Sequence, residues 1–166
     1  VAQLWIEAPH VEIRDLVFDF AVMAAIQLWN THHLRISGNA FHDADVAIDG
    51  SAGLGQPHQV QIDHNFSTCR PLHQWRQRGW LSWAEVYPYC NCSLTWIHGR
   101  DIRVEHNLIT EAGDGIKLSP VAGRNRINAN VIAFTTDDGI EFDGPAINLE
   151  VSHNLVVGTW DSLGIS

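Results

Sequence analysis

A pattern that returns about every 23 to 26 residues restricts this chain more than any other feature of it: two alternating apolar positions, two intervening residues, Asn, then further apolar residues. It reads Ile36-Ser-Gly-Asn39, Ile62-Asp-His-Asn65, Val104-Glu-His-Asn107, Ile127-Asn-Ala-Asn130 and Val151-Ser-His-Asn154, with Ile13-Arg-Asp-Leu16 as a degenerate first copy. The steps are 23 (Leu16 to Asn39), 26 (Asn39 to Asn65), 42 (Asn65 to Asn107), 23 (Asn107 to Asn130) and 24 (Asn130 to Asn154). A period of this length marks a solenoid, and alternation within each copy makes the units strands rather than helices.

Each repeat divides into three short strands: one before the Asn (Ile102-Arg-Val104), one just after it (Leu108-Ile109, Val131-Ile132), and a third about eight residues on (Gly115 to Leu118, Gly139 to Phe142). Three strands per turn that return in the same direction predict an all-β parallel β-helix of about six turns, with like residues stacking about 4.8 Å apart. The Asn column has two expected uses. Asn tolerates left-handed backbone at a tight bend, and stacked amides hydrogen-bond along the ladder. On these repeats the chain resembles the right-handed parallel β-helix superfamily that includes pectate lyases and polygalacturonases, a resemblance that covers nearly the whole chain.

At 166 residues, 45% apolar and 17% charged, the chain suits one β-helical domain over 1–166 with a continuous core. It begins at Val1, ends partway through a third-type strand, and displays no polar cap, so a piece of a longer β-helix is expected. No secretory h-region or membrane span is apparent. The net charge of −9 and the lack of a basic stripe argue against nucleic acid as a partner.

The 42-residue step implies an insertion. Counted back from Asn107, Leu94-Thr-Trp96 aligns with Ile26 to Leu28 as a third strand, which leaves about 68–92 as a loop between second and third strands. It holds Trp75, Trp80, Trp83, Tyr87 and Tyr89 with Arg70, Arg76 and Arg78. Flat aromatic faces stack on sugar rings and Arg grips hydroxyls or carboxylates, so a saccharide-binding wall is one expectation and a private aromatic mini-core the other. Cys69, Cys90 and Cys92 lie in the same stretch. A disulfide from Cys69 to either of the other two would rigidify it and fit an oxidising, extracellular, cell-surface or periplasmic setting. Unpaired thiols, or a metal site completed by His73, are the alternatives.

Residues between inward apolar positions of a strand point outward, so the third strands are expected to display Gln27, Thr95, Lys117 and Glu141 as one column. Gly113-Asp114-Gly115-Ile116 aligns with Asp137-Asp138-Gly139-Ile140, and Ser119 with Asp143. Asp114, Asp137, Asp138, Glu141, Asp143 and Lys117 therefore gather on two rungs. Carboxylates brought together raise one another's pKa, and a protonated acid beside an ionised one is what hydrolysis of a glycosidic bond requires. Polygalacturonase-like glycosidases carry Asn-Thr-Asp-Gly on one turn and Asp-Asp on the next. Glu111-Ala-Gly-Asp114-Gly and Thr136-Asp137-Asp138-Gly match them at the aspartates, while Ser162-Leu163-Gly164 stands where that family has Gly-His-Gly.

The reading that follows is a glycoside hydrolase acting on a polysaccharide or oligosaccharide, with Asp114, Asp137, Asp138, Glu141 and Lys117 in the chemistry. Substrate would be held by Trp75, Arg76, Arg78, Trp80, Trp83, Tyr87 and Asp143, and no obligatory cofactor is expected. Two alternatives stand beside it: a non-catalytic carbohydrate-binding or surface β-helix in which Asp-Gly is turn chemistry, and a polysaccharide lyase with calcium at Asp114, Asp138 and Asp143. His64, His106 and His153 precede ladder Asn residues and read as structural. His32-His33 has no zinc-motif partner in the sequence, and His42, Asp43 and Asp45 could extend the acidic face to an earlier turn.

Overall fold

The computed structural model describes residues 2–51, 53, 55–69, 92–119, 123–144, 148–159 and 161–165. Their strands form three parallel sheets that run the length of the molecule. Sheet 1, before the Asn, contains β2 (Glu12–Arg14), β5 (His32–Ser37), β8 (His58–Asp63), β11 (Arg100–Glu105), β14 (Asn125–Asn128) and β17 (Leu149–Ser152). Sheet 2, after it, contains β3 (Val17–Asp19), β6 (Ala40–His42), β9 (Phe66–Thr68), β12 (Leu108–Thr110), β15 (Val131–Ala133) and β18 (Leu155–Val157). Sheet 3 contains β1 (Leu4–Ile6), β4 (Ala24–Leu28), β7 (Val46–Gly50), β10 (Ser93–Ile97), β13 (Ile116–Leu118), β16 (Asp138–Phe142) and β19 (Asp161–Ile165). Every pairing joins strands of consecutive turns, the signature of a β-helix. Among the described residues no helix is long and apolar enough to cross a membrane.

The core is a set of apolar columns. Ile13, Ile36, Ile62, Val104 and Ile127 stack in sheet 1 without a break, while Phe18, Phe41, Ile109 and Ile132 in sheet 2 are interrupted by Ser67 and Ile26, Ile48, Ile116 and Ile140 in sheet 3 by Thr95, all of them buried. Each such side chain contributes about 1.5–3 kcal/mol through removal from water, and stacking like on like lets every turn reuse the same packing solution.

The Asn column forms the expected ladder. Asn65 donates its backbone N–H to Asn107 Oδ1 at 2.9 Å and its Nδ2 to the same oxygen at 3.0 Å and to Ile36 O at 2.9 Å. Asn39, Asn107 and Asn130 repeat the arrangement, and Asn154 closes the series with Nδ2 on Ile127 O. The backbone half of the expectation needs correction. The left-handed residue is the one before the ladder position: Asp15 ahead of Leu16, and Gly38, His64, His106, Ala129 and His153 ahead of the asparagines, with φ between 54° and 69°. Asn is thus selected for its amide alone. His64 and His106 stack with ring centroids 5.2 Å apart, a structural use in keeping with the sequence reading.

A second correction concerns β10. Thr95 pairs with Ile48 and Ile116, while Trp96 pairs with Asp49 and Lys117. Thr95 is therefore inward and fully buried, its hydroxyl donating to Lys117 O at 3.3 Å, and Trp96 joins the outward column. A shift of one residue moves a whole strand to the opposite face, and Leu94-Thr-Trp96 and Thr95-Trp-Ile97 alternate equally well in sequence.

The described chain leaves sheet 2 at Thr68 and re-enters sheet 3 at Ser93, and a disulfide joins Cys69 to Cys92 across that gap. Their Cα atoms lie 5.9 Å apart, and β10 continues the stack in register with β7. Trp75, Trp80, Trp83, Tyr87, Tyr89, Arg70, Arg76, Arg78, His73 and Cys90 lie outside the described residues.

Candidate carboxylate site

The third strands begin with two successive inward residues. Ala25-Ile26 and Ala47-Ile48 both enter the core, and a Cβ at Gly115 would meet Gly139 O and the Ile132 side chain. Inward packing at Gly115 and Ile116 leaves Asp114 and Lys117 on the outer side of their rung. The same holds for Asp138 and Glu141 one turn later, in register with them. The turns ahead of the two strands stack as well: Gly115 N donates to Asp138 O at 2.9 Å and Asp137 N to Gly113 O at 3.1 Å.

Asp114, Asp137 and Asp138 come together so closely that one carboxylate oxygen from each lies within 4.8 Å of the others. Asp114 is 3% exposed, and its Oδ1 is buried without a hydrogen-bond partner. Burial is the main force on its carboxyl, the nearby Glu141 and Asp137 charges add to it, and Lys117 and a hydrogen bond from the Asp138 backbone oppose it. The result pushes the pKa up to about 8. Burial and like charge thus both favour the protonated form of Asp114, beside partly buried carboxylates.

Lys117 closes the other side. Its Nζ lies 2.7 Å from Glu141 Oε2 and 3.2 Å from Asp143 Oδ2, and 5.3 Å from the centroid of the Trp96 ring. Burial alone would lower its pKa, but the hydrogen bond to Glu141 and the Glu141, Asp114 and Asp143 charges outweigh it and raise it. Lys117 is accordingly a fixed cation, held over an indole face.

Of the sequence-derived candidates, Asp114, Asp137, Asp138, Glu141, Lys117 and Asp143 all line this face. The grouping differs from the calcium trio expected, because Asp143 faces Lys117 and Asp137 takes its place beside Asp114 and Asp138. Three carboxylates at this spacing offer the hard oxygen ligands a divalent cation such as Ca²⁺ prefers. The acidic face does not reach the earlier turn continuously: between the rungs of Asp45 and Asp137 the corresponding corner positions are Cys92 and Gly113. Trp96 is the participant that sequence reading placed on the wrong face; the signal that would have found it is the register of Ile97 with Leu118.

Gly164, at the position in register with Glu141, packs against the Asp138 carboxylate, and any Cβ there would collide with it. The residue is therefore fitted to the site by its lack of a side chain. The last descending end of the insertion arrives close by, since Gly113 N donates to Cys92 O at 3.3 Å.

A search of curated proteins finds no matching relative. A family model described as the right handed beta helix region matches residues 4–165. With parallel sheets, an Asn ladder and a core of stacked columns over the same span, the chain belongs to the right-handed β-helix family.

Proposed function

We propose that this β-helix is a carbohydrate-active enzyme, a glycoside hydrolase that cleaves a polysaccharide by carboxylate acid/base catalysis. The observation that carries the reading is the buried Asp114, its Oδ1 without a hydrogen-bond partner, beside Asp137 and Asp138. In the proposed mechanism Asp114 donates its proton to the glycosidic oxygen as the bond to the sugar breaks. Asp137 or Asp138 activates water or attacks the anomeric carbon. Glu141 and Asp143 hold Lys117 in place, and Lys117 steadies charge that develops on the carboxylates. The exposed part of the Trp96 face, with the aromatic residues of the insertion, supplies surfaces on which sugar rings stack.

The Cys69–Cys92 disulfide supports an oxidising, extracellular or cell-surface setting, where polysaccharide is met. The raised pKa of Lys117 weighs against its use as the base of a lyase. The close spacing of the three aspartates favours one second reading, a calcium site that bridges to an acidic polymer.

The test is an assay of the chain against neutral and acidic polysaccharides, with reducing ends and unsaturated sugar ends read with and without chelator. New reducing ends without unsaturation, lost by about 10²–10⁴-fold in Asp138→Asn at unchanged folding, are expected. Unsaturated ends that vanish on chelation would replace hydrolysis with calcium-dependent elimination. Silence across the panel, from folded protein, would leave a binding module.

A further inference from the structure

Four imidazoles meet at the corner that leads from sheet 3 into sheet 1 in the early turns, away from the carboxylate face. His10 and His33 occupy the same corner position in successive turns, as the pairing of Glu12 with Arg35 two residues later requires. His32 is paired with His58 in the next turn. The rings of His10 and His33 stack at 4.6 Å and those of His32 and His58 at 4.9 Å, while His32 and His33 meet edge to face at 4.9 Å. The Nδ1 atoms of His32 and His33 are 2.7 Å apart, and one ring nitrogen from each of His10, His32 and His33 lies within 4.8 Å of the others.

The backbone does not explain these rings. His10 and His33 are left-handed, with φ of 59° and 56°, but Gln59 and Asp101 fill the same corner in the following turns at 55° each. The corner demands a left-handed residue, a role that His, Asn and Asp fill more readily than most; it does not demand imidazole. The rings are also accessible, His10 and His33 being exposed and His32 half-buried, at the edge of a groove lined by Glu12, Arg35, Gln61 and Arg103.

We infer that His10, His32 and His33 form a binding site for a divalent transition-metal ion of the Zn²⁺ type. Neutral imidazole nitrogen is a preferred ligand of such ions, at about 2.0–2.1 Å, and three nitrogens leave a fourth tetrahedral position for water or a bound molecule. Two nitrogens on one tetrahedral ion stand roughly 3.3 Å apart at that bond length. The His32–His33 contact therefore opens by about half an ångström and the wider contacts close, within the reach of side-chain rotation. When the metal binds, whichever ring carries its proton on Nδ1 shifts it to its own Nε2, so that both Nδ1 atoms present lone pairs and no ring loses its neutral form. The site is independent of the carboxylate chemistry: its ligands are nitrogen, whereas Asp114, Asp137 and Asp138 offer only oxygen.

The experiment is calorimetric titration of the untagged chain with Zn²⁺, paired with the visible absorption of the Co²⁺ form. One ion per chain is expected, with the intense bands of tetrahedral, nitrogen-ligated Co²⁺. His10→Asn and His33→Asn each preserve a residue type suited to left-handed backbone. Each is expected to weaken binding by more than the roughly 10–100-fold typical of lost supporting contacts, with circular dichroism unchanged. His106→Asn, in the other stacked pair, is expected to have no effect. The inference is overturned by absence of saturable binding in the wild-type chain, by wild-type affinity in His33→Asn, or by a weak octahedral Co²⁺ spectrum that Asp138→Asn abolishes. The wild-type Co²⁺ spectrum keeps the test decisive even where a variant fails to fold.

Discussion

Asp63 and Asp114 are both buried on the wall of one solenoid, 1% and 3% exposed, and they end up with opposite acidities. Asp63, at the end of β8, is pushed up by burial but receives hydrogen bonds from Arg35 at 3.0 and 3.2 Å and from Ser37 at 2.9 Å, and shares one with His64 at 2.8 Å. These partners win, and its pKa falls to about 2. Asp114 meets the same desolvation with Glu141 and Asp137 as neighbours and one oxygen unpartnered, and its pKa rises to about 8. Burial is common to both; the partners decide the sign. A carboxylate whose hydrogen bonds are complete has been used up by the fold, whereas one left incomplete keeps a proton available for chemistry.

The largest expected effect that would break this comparison is on stability against pH. Between pH 4 and 8 folded Asp114 retains a proton that the unfolded chain has lost, so on its account stability falls as pH rises through that window. Asp114→Asn should remove this slope, gaining on the wild type by on the order of a few kcal/mol from pH 4 to pH 9 in denaturant midpoints. An unchanged slope would mean that Asp114 is ionised in the folded state.

Next in size is Asn107→Ala. It deletes donors to Ile62 O, Glu105 O and Asn130 Oδ1 and the acceptor of two bonds from Asn65, leaving several buried groups unpaired. A loss of about 3 kcal/mol is expected in urea unfolding. A loss below about 1 kcal/mol would show that water replaces the ladder.

Asp63→Asn should cost about 2 kcal/mol at neutral pH. Because the folded pKa of Asp63 is depressed, that stability is present above the unfolded value of 3.8 and fades as pH falls toward about 2. Wild type and variant should therefore converge on acidification, the reverse of the Asp114 case. The smallest effect is that of Lys117→Met, which removes a charge that lowers the Asp114 pKa. The alkaline limb of kcat/KM should move up by no more than about one unit; a shift downward would count against Asp114 as proton donor.

The Asn column was legible in sequence because a ladder needs the same side chain at the same place in every turn, and Asn39, Asn65, Asn107, Asn130 and Asn154 repeat visibly. The rung-neighbour relation of Lys117 and Glu141 was legible for the same reason, their repeats being 24 residues apart. Trp96 was not, since two alternating frames compete within five residues of β10 and only pairing with both neighbouring strands chooses between them. His10 was overlooked for a related reason: a metal motif read along the chain looks for close spacing, whereas His10 and His33 lie a full turn apart in sequence and in contact in space.

Periodic side-chain chemistry, then, determined by itself that the chain winds into parallel turns and which asparagines stack, because each of these depends only on repetition at one spacing. Tertiary structure decided which oxygens are starved of hydrogen bonds, which face carries Trp96, that Cys69 joins Cys92, and that four histidines meet at one corner. Those properties depend on distances of a few ångströms between turns, and a one-residue change of register or one left-handed corner is enough to redirect a side chain without leaving any mark on the repeat.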